Sequence, residues 1–78
     1  MNNKLKGTIV STQTGRIPRT EKEYGYIVVE DSKTKEHIKL KIDADTNYDT
    51  LERGENVLVK TDVLGSTEIL RALEIMKE

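Results

Sequence analysis

The stretch Tyr24-Gly25-Tyr26-Ile27-Val28-Val29-Glu30, followed by Glu36-His37-Ile38-Lys39-Leu40-Lys41-Ile42, decides the fold. The first run concentrates aromatic and β-branched residues, which fit a pleated, half-buried surface. The second alternates without a break, so that Ile38, Leu40 and Ile42 point one way and His37, Lys39 and Lys41 the other. Between them Asp31-Ser32-Lys33-Thr34-Lys35 is a polar turn of hairpin length. The two runs read as a β-hairpin with one apolar and one polar face.

Outward from this hairpin the chain offers three more apolar runs. Lys4 to Thr12 carries Leu5, Ile9 and Val10, and Asn56 to Thr61 places Val57 and Val59 on a shared face. The tail from Ser66 to Glu78 is ambiguous. Its Ile69, Leu70, Leu73 and Met76 fall at helical spacing, while a strand entered through Leu64-Gly65-Ser66 is the alternative. Residues 45–53 end at Gly54, and Thr46 or Asp49 is placed to cap a helical turn there. Five short runs separated by turn-rich polar segments are the pattern of a small all-β domain.

At 78 residues with 35% apolar side chains, the chain makes a single domain, residues 1–78, around one small core. It has no cysteine, which excludes disulfides, thiolate metal sites and cysteine nucleophiles. Its single histidine, His37, leaves little for His-based catalysis or zinc, and no Ser-His-Asp set or phosphate loop is visible. Asp43, Asp45, Asn47 and Asp49 have calcium-loop spacing, but Tyr48 and Gly54 stand where such a loop needs glycine and glutamate, so these acids read as turn caps. No apolar run approaches the roughly 18 residues of a membrane span, and Met1-Asn2-Asn3-Lys4 opens no signal peptide. The expectation is a cytoplasmic binding module, with no metal or cofactor, rather than an enzyme.

Net charge is −1, but the halves differ. Residues 1–41 hold nine Lys/Arg against five acids, a balance of +4, and residues 42–78 hold four against nine, a balance of −5. Such asymmetry suggests a basic and an acidic face. The bland reading is that charged residues, 35% of the chain, simply solvate a small protein.

Tyr24-Gly25-Tyr26-Ile27 also resembles the K-G-F-G-F-I signature of the cold-shock domain. Lys6-Gly7-Thr8-Ile9 is similar to that family's opening K-G-T-V, Leu51-Glu52-Arg53-Gly54-Glu55-Asn56-Val57 to its L-x-x-G-x-x-V, and Arg71-Ala72-Leu73-Glu74-Ile75 to its closing Q-A-x-x-V strand. Asn47-Tyr48, with Gly54 and Val57-Leu58-Val59, resembles the S1-like translation initiation factor one. Both families are OB-folds, which bind oligonucleotides across strands two and three. The resemblance implies an all-β, five-stranded Greek-key OB-like barrel, with room for one short helical turn between strands three and four. It also makes residues 67–76 the closing strand, against their local helical preference. Two departures stand out. Residues 12–23, including Gly15-Arg16-Ile17-Pro18-Arg19, read as a long loop insertion, and the third strand carries Lys39 and Lys41 near the family's aromatic pair.

On such a barrel Tyr24 and Tyr26 share the outer face with His37, Lys39 and Lys41, where rings stack on bases and ammonium groups neutralise phosphates. Arg16, Arg19 and Lys22, in the loop after strand one, are placed to clamp phosphates. The same residues also suit a merely solvated hairpin held by cross-strand pairs. The functional expectation is a module for single-stranded RNA or DNA with low sequence preference. A protein-interaction or assembly module is the alternative, favoured by the near-zero net charge and the scarcity of aromatics.

Overall fold

The structure is a computed structural model, which describes residues 3–20, 22–63 and 70–78. Six strands follow one another: β1 (Asn3–Arg16), β2 (Glu23–Asp31), β3 (His37–Ile42), β4 (Asn47–Tyr48), β5 (Asn56–Val63) and β6 (Leu70–Lys77). β1, β2 and β3 form an antiparallel meander. The chain then crosses over, so that β5 lies antiparallel to the first half of β1 and β6 lies beside β5. Parallel pairing of Leu40 with Leu70 and of Lys41 with Arg71 joins β3 to β6 and closes a five-stranded OB-like barrel. The two-residue β4 adds only a short parallel bridge onto β6. Among the described residues no helix is long and apolar enough to cross a membrane.

The barrel interior is aliphatic because alternation sends Ile27 and Val29, Leu40 and Ile42, and Val57 and Val59 inward from three strands. Leu5, Ile9, Leu51, Ala72 and Ile75 complete the core. Two bulges keep the pattern inward. At Val10 the register slips between Ile9 and Ser11, switching the parity of β1 so that Thr12 stands opposite Ile27. In β6 the register passes from Glu74 opposite Lys60 to Ala72 opposite Thr61, leaving Leu73 as the extra residue. Ala72 and Ile75 are thereby both buried although three apart, and Leu73 is exposed.

β1 is long because it serves two neighbours. Its first half pairs with β5 and its second with β2, the two ladders overlapping at Gly7 and Thr8. A Cβ on Gly7 would lie 2.1 Å from the Glu30 carbonyl oxygen, so the strand turns this corner only without a side chain.

Two expectations are corrected, and that of a closing strand in the tail is borne out over the described residues. The segment 12–23 is not a long loop: β1 runs on to Arg16 and β2 starts at Glu23, with Gly15 opposite Tyr24. Only residues 17–22 connect them, and Arg16 ends a strand. The helical turn between the third and fourth barrel strands is absent, residues 43–55 forming turns around β4. Its two capping candidates are engaged elsewhere. The Thr46 hydroxyl accepts the Asp43 N–H at 3.1 Å and donates to the Ala72 carbonyl at 2.7 Å, and Asp49 Oδ2 accepts the Lys77 N–H at 3.1 Å. Both therefore fasten this segment to β6. The tail is a strand over Leu70–Lys77, while the expected turn at residues 64–66 and strand start at 67–69 lie outside the described residues.

At the mouth of the barrel Arg71 holds Asp43. Arg71 Nη2 donates to Asp43 Oδ1 at 3.1 Å, and Nε lies 2.8 Å from Oδ2, close but out of line for a hydrogen bond. Partial burial pushes the Asp43 carboxyl upward, but the Asp45 N–H hydrogen bond and the Arg71 guanidinium outweigh it and hold it below the ordinary carboxylate value. A lowered native value means the unfolded chain binds the proton more readily. The group's stabilisation is therefore complete above the ordinary carboxylate value and is lost as pH falls through the lowered one. Urea denaturation between about pH 6 and pH 2 should show wild type losing more stability on acidification than Asp43→Asn. Parallel curves would remove this linkage.

Candidate nucleic-acid interface

Alternation on β2 leaves Tyr24 and Tyr26 outward, 52% and 37% exposed, while Ile27 and Val29 are fully buried. Lys41 stands directly opposite Tyr26, Lys39 opposite Val28, and His37 opposite Glu30. His37 and Lys39 are exposed and Lys41 is half-buried. The five expected residues of the hairpin therefore share one outer face. Gly25 between the tyrosines has φ 136°, and a Cβ there would meet the Gln13 carbonyl oxygen at 2.2 Å, so β1 and β2 approach too closely for any side chain.

The two rings have different surroundings. Lys39 Nζ lies over Tyr26, 4.4 Å from the ring centroid, within cation–π range. The Tyr24 ring leans the other way, toward β1. A Cβ on Gly15 would be 3.5 Å from its Cζ and Oη and 3.6 Å from its Cε1. His37 Nε2 faces Glu30 Oε1 at 3.4 Å, a pair that shares the lower end of the face.

The three basic residues beyond the tyrosines are not gathered into one clamp. Arg16 is exposed at the end of β1, opposite Glu23. Arg19 is exposed in the connection with φ 64°. Lys22 Nζ donates to the Ala44 carbonyl at 2.8 Å, tying the connection to the turn after β3. Arg71, beside Lys41 in register, adds a cation that the sequence reading passed over, but Asp43 and Asp45 pair with it.

Gln13 and Gly15 also belong to the face and were passed over as site residues. The bulge at Val10 turns Ser11, Gln13 and Gly15 to the side carrying Val28, Tyr26 and Tyr24, their partners in register. Gln13 is exposed, opposite Tyr26. The signal was the alternation Gln13-Thr14-Gly15, which becomes legible once β1 continues past Thr12. The carboxylates of the calcium-like spacing go elsewhere, Asp43 to Arg71 and Asp49 to the Lys77 N–H.

No protein-family model, curated protein or solved structure matches this chain.

Proposed function

We propose that this chain is a small OB-like module that binds single-stranded nucleic acid, RNA or DNA, with low sequence preference across β2 and β3. The observation that carries the reading is two exposed tyrosines on one strand face beside Lys39 and Lys41 of the neighbouring strand. Every base has a π-face, so stacking tolerates sequence, and each ring contributes about 1–3 kcal/mol when a base covers it. The cold-shock resemblance supports the same reading, because it falls on Tyr24-Gly25-Tyr26-Ile27 and the face that strand builds.

The test is oligonucleotide binding across salt concentrations. With about three phosphate contacts, log affinity should fall by roughly two units per tenfold rise in salt. Lys39→Ala with Lys41→Ala should flatten that slope by about 1.4 units, at little cost to folding because both side chains leave the core. A protein that still binds with an unchanged slope would place the ligand elsewhere. Failure of the intact protein to bind any oligonucleotide at low salt would dispose of the reading.

A second reading, a protein-interaction module, has one observation in its favour. Among the described residues, β1 from Ser11 to Arg16 pairs with β2 on one side only, a strand edge that another chain can extend. Nuclear magnetic resonance titration separates the two. Shifts at residues 24–41 on adding oligonucleotide support nucleic acid, and shifts confined to residues 11–16 on adding a partner support the alternative.

A further inference from the structure

The two tyrosines sit in different chemistry. Tyr26 has an ammonium group on its face, Lys39 Nζ at 4.4 Å from the centroid. A base reaching that side of the ring must first displace the cation. The arrangement holds a long, otherwise flexible side chain over the middle of the sheet, where it presents a fixed positive charge. Tyr24 is the more exposed ring, and it leans away from the lysines across the bare backbone of Gly15. Next to Gly15 on the same face stands Gln13, whose side chain makes no hydrogen bond among the described residues. A side-chain amide carries both a donor and an acceptor, which a base edge can pair with.

Resting on the nucleic-acid reading above, we propose that the face divides its ligand across the sheet. A base stacks on Tyr24 above Gly15 with its edge toward Gln13, while the phosphate backbone runs over β3, met by Lys39 and then Lys41. Tyr26 is then a positioning residue that holds Lys39 for a phosphate, and Tyr24 alone is a base platform. The division follows from geometry. Among the described residues no cation lies over the ring that leans toward β1, whereas Lys39 and Lys41 lie on the β3 side. One nucleotide has its base and its phosphate on opposite sides of the sugar, so a strand laid along β2 can satisfy both.

The experiment compares oligouridine and oligothymidine strands with an abasic strand of the same length, on the intact protein. Tyr24→Ala should weaken binding of the base-bearing strands by about tenfold and leave the abasic strand unchanged. Tyr26→Ala should weaken base-bearing and abasic strands by the same smaller factor and reduce the salt slope by about 0.7. Tyr26→Phe, which keeps the ring face under Lys39, should restore both. Gln13→Ala should narrow the spread of affinities among homopolymers of the four bases without changing the salt slope. The division is overturned if Tyr26→Ala discriminates against bases as strongly as Tyr24→Ala, or if neither variant distinguishes the abasic strand. An unchanged homopolymer spread removes Gln13 from the base site. Failure of wild type to bind any of these strands strikes the underlying reading instead, so the two failures are distinct.

Discussion

Replacing both tyrosines, Tyr24→Ala with Tyr26→Ala, is expected to reduce affinity for single-stranded nucleic acid by tenfold or more while the barrel stays folded. The loss follows from removing one ring that stacks, at about 1–3 kcal/mol per base, and a second that fixes Lys39. The fold should survive because neither ring belongs to the core cluster, which is built from the opposite faces of the same strands. The cost to stability is confined to the Lys39 contact, worth about 0.5–1 kcal/mol at an exposed site, and to some cross-strand packing. Fluorescence anisotropy with a labelled oligonucleotide reads the affinity, and thermal denaturation followed by circular dichroism reads the fold. Unchanged affinity in a folded double variant would show that the ligand does not use this face.

Gly7→Ala is expected to be among the most damaging methyl additions in the barrel. Its Cβ would lie 2.1 Å from the Glu30 carbonyl oxygen and 2.8 Å from a Val29 methyl. Backbone cannot swing aside as the end of a flexible side chain does, so β1 and β2 would have to separate where β1 is shared between two ladders, at Gly7 and Thr8. Overpacking of this kind costs about 3 kcal/mol, against a total stability of roughly 4 to 12 kcal/mol for a domain of this length. Gly54→Ala provides the contrast. Gly54 has φ 90° with nothing within 4 Å of an added Cβ, so its cost is conformational alone, about 1 kcal/mol. Urea denaturation of the two variants should rank Gly7→Ala well below Gly54→Ala. Equal midpoints would show that the corner at Gly7 relaxes more easily than its geometry implies.

The candidate site was legible where one strand faces one way throughout. Tyr24, Tyr26, Lys39 and Lys41 lie on regular stretches of β2 and β3, so a period of two placed all four without reference to anything distant. Gln13 and Gly15 were not legible, because a bulge at Val10 reverses the parity of β1 before they are reached. The same device disguised the tail. Leu70, Leu73 and Met76 fall at helical spacing in the sequence, but the extra residue at Leu73 leaves that side chain exposed and sets the buried Ala72 and Ile75 three apart, an interval a helix also produces. Local pattern cannot tell a bulged strand from a helical turn when both put apolar residues at the same interval.

By itself, then, the sequence determined the central hairpin, the aliphatic inner faces of β2, β3 and β5, and the outward rings and lysines. These depend on alternation and on the Asp31 turn, whose carboxylate accepts the N–H groups of Lys33 and Thr34 at 2.7 and 3.2 Å. The tertiary structure decided the rest. Pairing with Tyr24 made a strand end of Gly15 and Arg16, and the carbonyl of Ala72 drew Thr46 away from a helix cap. Contact between β3 and β6 closed the barrel. Lys39 could be assigned to Tyr26, and Tyr24 to Gly15, only when three strands lay side by side. The reason is physical: local rules fix which side of a strand a residue occupies, whereas backbone hydrogen bonds and side-chain neighbours between distant segments exist only after the chain has folded.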